Sequence, residues 1–222
     1  MLEFTKMTGL GNDYIYVDCT NGTKIKNVSE VTKKLSDRHF GIGADGLILI
    51  DKSENEDADF KMRIFNSDGS EAEMCGNGIR CVAKYIHDNK LFDKDKISIE
   101  TLAGIKKVKL LEEPTGDCNE VIVDMGEPLF QDNNIPYDVF EAFNKDLDLD
   151  VKDGKMRFTV ISMGNPHAIT FVEDVNNIDI TSYGPEVENN PVFPNRTNVE
   201  FVQIIDKNNI KVRVWERGVG ET

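Results

Sequence analysis

Apolar and polar positions along this chain follow two rhythms. Short runs rich in branched and aromatic residues read as strands: YIYV (14–17), a buried LILI (47–50), FKMRIF (60–65), ISI (97–99) and KKVKLL (106–111) in the first half. VIV (121–123), FTVI (158–161), AITFV (168–172), FVQII (201–205) and IKVRVW (210–215) follow in the second. Ile79, Val82, Ala83 and Ile86 recur at helical spacing and predict a helix from Gly76 onward. A shorter helix is expected over 29–35, with Ser29 as N-cap and Glu30 in its first turn, and a weaker one over 139–148. Residues 51–59 read as an acidic surface loop. Charge, proline and glycine gather without periodicity in EEPTGDCN (112–119), which places an expected boundary between domains 1–116 and 117–222.

The two halves repeat one another. KMRIFN (61–66) returns as KVRVWE (211–216), 150 residues later, with Lys and Arg identical and three apolar positions kept. LGN (10–12) falls on MGN (163–165), and Asp45 on Asn198, each time just before a strand. The expected fold is therefore mixed α/β (α+β), built from a duplicated domain.

At 222 residues and a net charge of −14 the chain reads as a folded protein with no basic stripe to meet nucleic acid or an anionic membrane surface. A small-molecule substrate is the expectation. The four cysteines, Cys19, Cys75, Cys81 and Cys118, form no CxxC pair, and no apolar signal region or membrane-length segment is evident, so a reducing cytoplasm is expected. Gly41, Gly43 and Gly46 spell GxGxxG, but they precede a strand rather than joining a strand to a helix, which excludes a Rossmann site.

The chemistry concentrates in FNSDGSEAEMCGNGIRC (65–81), where a strand runs through a polar turn into Cys75 and a helix. A thiol at a helix N-terminus is favoured as thiolate by the unpaired N–H groups and the positive dipole end. Gly76 and Gly78 allow close backbone approach and leave N–H groups to hold an anion such as a carboxylate. Cys75 then reads as a base or nucleophile beside an anion cradle. The plain alternative is a buried, inert cysteine capping a core helix.

LGNDY (10–14), RHFGIGADG (38–46), the 65–81 segment, SMGNPH (162–167), RTN (196–198) and ERGVGET (216–222) together resemble diaminopimelate epimerase along the whole chain and in order. The resemblance implies two pseudo-symmetric domains, each with strands wrapped around a central helix, and an amino acid bound between them. It implies inversion of one stereocentre of LL-diaminopimelate to the meso form, without pyridoxal phosphate or metal, for lysine and peptidoglycan synthesis. Members use a thiolate and a thiol on opposite faces of Cα, and Cys75 matches one of them. Asn12, Asn66, Asn165, Asn198, Glu216 and Arg217 match substrate-holding positions, and the backbone N–H groups of Gly76 and Asn77 would hold the α-carboxylate. His167 matches a site-lining histidine, with an orienting role as good a fit as proton transfer. Members often pair as homodimers, so a second copy is a candidate partner.

Two departures bear on these expectations. Gly46 stands where many members place a glutamine, removing a side-chain contact. Position 225, where the repeat would put the second thiol, lies past Thr222, so the second domain is expected to lack its cysteine and central helix within this chain. Residues 1–222 alone are then expected to expose apolar strand faces, to be prone to aggregation and not to epimerise. The alternatives are a truncated, non-catalytic amino-acid-binding homologue and a proline or hydroxyproline-type racemase.

Overall fold

The computed structural model describes residues 2–129 and 147–222, which belong to two units, Met1–Gly126 and Glu127–Thr222. In the first, β1 (Thr5–Gly9) and β2 (Asn12–Asp18) pair as a hairpin. Its turn residues Leu10 and Gly11 both have positive φ, 50° and 96°, the geometry that matches the twist of the flanking strands. A helix, α1 (Val28–Ser36), then carries the chain over to β3 (Gly46–Lys52), which runs parallel to β2. β4 (Phe60–Asn66), the two-residue β5 (Glu71–Ala72), the helix α2 (Gly76–Asp88), β6 (Lys96–Thr101), β7 (Gly104–Glu112) and β8 (Cys118–Asp124) complete a sheet of order β1-β2-β3-β4-β6-β7-β8, with β5 on β4.

The apolar pattern explains the layers. Alternation along β2 and β3 turns Tyr14, Tyr16, Ile48 and Ile50 toward a core shared with Ile79, Val82, Ala83 and Ile86 of α2. The intervening Ile15, Val17, Leu47 and Leu49 form a second core with Val28 and Leu35 of α1. A strand buried on both faces needs an unbroken apolar run, which is why YIYV and LILI lack polar positions. The sheet thus wraps α2, which packs on β1, β2, β7 and β8.

In the second unit β9 (Leu147–Val151), β10 (Gly154–Ser162), β11 (Pro166–Phe171), the helix α3 (Ile180–Glu188), β12 (Asn198–Ile204), β13 (Ile210–Glu216) and β14 (Gly220–Glu221) follow one another. The sheet order is β14-β13-β12-β11-β10-β9, over a core of Phe158, Val160, Ala168, Ile180, Val187, Val199 and Phe201. The repeat is structural. In each unit a helix crosses between a matching parallel strand pair, α1 between β2 and β3, and α3 between β11 and β12. Arg63 pairs with Glu71 and Arg213 with Glu221, both at 2.7 Å. The units differ in what covers β4 and β13. Phe60 and Met62 are buried, at 4% and 2% exposure, whereas Ile210 and Val212 at the repeated positions are 62% and 40% exposed.

Three expectations change. Residues 113–117 form a hairpin turn, because β8 pairs along β7 from Glu112↔Cys118 to Lys107↔Asp124; the units divide after Gly126 rather than after 116. Hairpin turns and linkers use the same proline, glycine and charged residues. α1 starts two residues early, with Asn27 as N-cap at φ 51° instead of Ser29, since asparagine tolerates the left-handed conformation. The helix expected over 139–148 lies mostly outside the described residues, and its last two, Leu147 and Asp148, open β9.

Gly46 gives a test of the packing. A Cβ there would lie 2.1 Å from the Phe65 carbonyl oxygen and 2.9 Å from the Tyr14 ring, so neither a rotamer change nor a small side-chain shift relieves it. Gly46→Ala is expected to cost about 1–3 kcal/mol. Gly76→Ala, whose Cβ would meet only the Met125 side chain at 3.9 Å, is expected to stay within about 0.5 kcal/mol of the parent. Urea denaturation followed by far-ultraviolet circular dichroism distinguishes the two, since the single tryptophan, Trp215, reports the second unit.

Candidate active site

In the first unit the sheet register brings three strand ends together. Tyr14 lies opposite Gly46 and Gly46 opposite Asn66, so the starts of β2 and β3 and the end of β4 share one edge. Asn12 opens β2 and Asn66 closes β4, both buried. Asn66 Nδ2 donates to Ser70 Oγ at 3.3 Å. Cys75 is the N-cap of α2, with extended backbone, and its Sγ accepts from Gly78 N–H at 3.3 Å. A Cβ on Gly78 would stand 2.8 Å from Ile48 Cδ1 and 3.3 Å from Met62 Cε, the far ends of two side chains. The helix start is therefore pressed onto β3 and β4. Asn77, one residue earlier, donates from Nδ2 to Asn12 Oδ1 at 2.5 Å, and Asn12 Nδ2 donates to Asp45 Oδ2 at 3.4 Å. Asp45 also accepts from Arg38 at 2.8 Å and from Asp13 N–H at 3.0 Å, and Arg38 reaches both oxygens of Asp13. Burial works to raise the Asp13 carboxyl, but hydrogen bonds from Arg38 and Lys6 outweigh it and hold it below the usual range.

The second unit repeats the arrangement with different wiring. Asn165 and His167 stand at the start of β11, Asn198 opens β12, Glu216 closes β13 and Arg217 follows it. His167 bridges Glu200, through Nδ1 at 2.6 Å, and Asn165 Oδ1, through Nε2 at 3.0 Å. Asn198 is committed to backbone: Nδ2 donates to Pro166 O at 3.1 Å and Oδ1 accepts from Arg217 N–H at 2.9 Å. It thereby joins two strands and fixes where Arg217 leaves β13. Arg217 is buried and donates to Asn195 O at 3.1 Å. Glu188, also buried, accepts from Trp215 Nε1 at 2.7 Å, Arg196 at 3.0 Å and Gly218 N–H at 3.0 Å, and so holds the turn behind Arg217.

The expected residues thus fall into two sets: Asn12, Asn66, Cys75, Gly76 and Asn77 in the first unit, and Asn165, His167, Asn198, Glu216 and Arg217 in the second. Sequence reading passed over Arg38, Asp13 and Arg80 in the first, and Glu188 and Glu200 in the second. Asp45 carried a signal, since it repeats at Asn198; Glu188 carried none. Of the four free cysteines Cys75 is half-buried and the others are buried. Burial, and next Asp51 and Asp18, push the Cys19 thiol up to about 11. Burial also raises Cys118. Among the described residues no group of His, Cys, Asp and Glu is placed to hold a metal ion, and no helix is long and apolar enough to cross a membrane.

Comparison with known proteins fits this arrangement. Solved structures share the fold: a probable proline racemase from Agrobacterium radiobacter K84 matches all of the chain and 72% of its own at a TM-score of 0.70 and 15% identity. A hydroxyproline epimerase from Agrobacterium vitis matches 99% of the chain and 71% of its own at the same TM-score and identity. The sequence pattern of the family described as diaminopimelate epimerase matches residues 4–131 and 159–222. The diaminopimelate epimerase of Acetivibrio thermocellus is 52% identical over 221 residues, and that of Methanococcus maripaludis strain S2 is 55% identical; each comparison covers the whole chain and 78% of the relative. The fold is therefore the two-unit α/β fold of these racemases and epimerases. Within it, the chain belongs to the diaminopimelate epimerase family.

The burial of the cysteines makes a direct expectation. Brief alkylation of the folded chain with iodoacetamide near neutral pH should modify one thiol, Cys75, by peptide mass mapping, and Cys75→Ser should abolish the adduct. Denatured protein should take up four. Equal labelling of Cys19 or Cys118 in the folded state would contradict the burial argument.

Proposed function

We propose that this chain carries one half of a cofactor-independent acid–base site that interconverts LL- and meso-diaminopimelate, with Cys75 as the thiol that exchanges a proton with Cα. The observation that carries the reading is the placement of Cys75 as N-cap of α2, half-buried, with Gly78 N–H on its sulfur and Asn12 and Asn77 beside the same helix start. A donor N–H and a helix N-terminus both favour the thiolate. The backbone N–H groups of Gly76 and Asn77 hold the substrate α-carboxylate. Asn12, Asn66, Asn165 and Asn198 hold its polar groups, Arg217 meets a carboxylate and Glu216 an ammonium. His167, already bridging Glu200 and Asn165, orients rather than transfers a proton.

The Cα proton of an amino acid is a very weak acid. Abstraction breaks the Cα–H bond, forms S–H on Cys75 and throws charge onto the α-carboxylate, where preorganised N–H donors act. Removing one such donor typically costs about 10²–10³ in rate. Inversion then needs a second acid on the opposite face. Cys19, Cys81 and Cys118 are buried, so none of them serves as that second acid. The four free cysteines accord with a reducing cytoplasm, and the product with lysine and peptidoglycan synthesis. The proline-type racemases match in fold alone, at 15% identity, whereas the 52% and 55% relatives are diaminopimelate epimerases, which favours diaminopimelate as substrate.

Incubation of LL-diaminopimelate with residues 1–222 in deuterated water, followed by separation of stereoisomers, should yield no meso product. Catalytic formation of α-deuterated meso-diaminopimelate by these residues would refute the two-thiol scheme. Wherever deuterated meso product does form, Cys75→Ser should abolish it.

A further inference from the structure

One chain of side-chain hydrogen bonds runs through the first unit's half of the site and ends on groups of opposite character. At one end the Asp45 carboxylate, held by Arg38 at 2.8 Å and by Asp13 N–H at 3.0 Å, takes the Asn12 amide nitrogen at 3.4 Å. Asn12 Oδ1 takes the Asn77 amide nitrogen at 2.5 Å. At the other end Asn77 Oδ1 takes the guanidinium of Arg80, one turn along α2, at 2.5 Å. An amide side chain has two nearly isosteric ends, one donating and one accepting, and only its partners decide which way it points. A carboxylate only accepts and a guanidinium only donates. With those two groups as terminators, both amides have a single consistent orientation, nitrogen toward Asp45 and oxygen toward Arg80.

We propose that Asp45 and Arg80 are positioning residues whose acceptor-only and donor-only character sets the orientation of the Asn12 and Asn77 amides for recognition of a substrate carboxylate. The inference rests on the substrate reading above. The amides stand where the helix N-terminus offers its N–H groups. A reversed amide puts a carbonyl oxygen where an N–H now lies, and beside a bound carboxylate that replaces attraction with repulsion. Arg80 sits three residues after Asn77, one helical turn away, so the terminator belongs to the same rigid element as the residue it orients.

The polarity account separates from simple packing by the choice of replacement. Arg80→Lys keeps a donor-only terminator, while Arg80→Gln keeps length and hydrogen-bonding capacity but lets the relay reverse. Asp45→Asn does the same at the other end. Calorimetric titration of meso-diaminopimelate into the chain should show Arg80→Gln and Asp45→Asn weakened about fivefold to tenfold, the loss of roughly one hydrogen bond. Arg80→Lys should stay within about twofold of the parent. The side-chain amide proton signals of Asn12 and Asn77, followed by NMR without ligand, should keep their positions in Arg80→Lys and shift or broaden in Arg80→Gln. Equal weakening by Lys and Gln at position 80, or amide signals unmoved in Arg80→Gln and Asp45→Asn, would overturn the proposal. If the parent chain binds no diaminopimelate, the substrate reading fails, and the amide signals alone decide whether Asp45 and Arg80 set the relay.

Discussion

The contact on which the first unit's site depends is the seating of the α2 N-terminus on β3 and β4. It is close enough that a Cβ at residue 78 would press on the side-chain ends of Ile48 and Met62. That approach sets the depth at which Cys75 caps the helix and lets Gly78 N–H reach its sulfur. It also brings Asn77 onto Asn12, so that a helix residue and a strand residue 65 positions apart share a hydrogen bond. The apolar face of α2, with Ile79, Val82, Ala83 and Ile86 fully buried, supplies the free energy that holds this geometry. Ile79, Val82 and Ile86 each contribute about 1.5–3 kcal/mol of burial, against about 0.5–1.5 kcal/mol for a hydrogen bond at the helix start. The core fixes the site, and the polar contacts refine it.

Duplication explains why polar residues recur at matching strand ends, and divergence explains why their wiring differs. Asn12 bonds the side chains of Asp45 and Asn77, whereas Asn165, its counterpart in the repeat, bonds the His167 ring. Asn198 is held by backbone, Pro166 O and Arg217 N–H. A backbone-bound amide acts as a strut and keeps Arg217 where β13 ends. A side-chain-bound amide is tuned by residues that can vary independently of the strands. Glu188 adds a second strut under the same turn, with its carboxylate shared among Trp215, Arg196 and Gly218.

Much of this was legible in the sequence. Strand runs, the α2 helix and the duplication are local patterns, and local patterns survive into structure when burial agrees with them. Cys75 was legible because a cysteine between a polar turn and a helical stripe has few places to be. The boundary at 116 misled because a hairpin turn and a linker share composition, and only the pairing of β8 with β7 separates them. The N-cap of α1 misled because Asn27 caps by backbone conformation and not by its side chain. The relay from Arg38 to Arg80 was invisible, since its members are scattered over residues 12–80 and meet only when the helix docks. Glu188 was invisible for a related reason: a buried carboxylate is recognisable only by its partners.

In the proposed scheme, where Cys75 acts as a base, asparagines suit the substrate-holding positions better than lysines or arginines. A cation next to a thiolate stabilises it and lowers its proton affinity, and a thiolate stabilised too far abstracts a Cα proton poorly. Neutral amides and backbone N–H groups hold a carboxylate without adding full positive charge beside the sulfur. The cations of this region are occupied elsewhere: Arg38 and Lys6 by Asp13, Arg38 also by Asp45, and Arg80 by Asn77 Oδ1. In the proposed scheme these cations act on Asp13, Asp45 and the Asn77 amide, while Gly78 N–H and the helix terminus act on the sulfur.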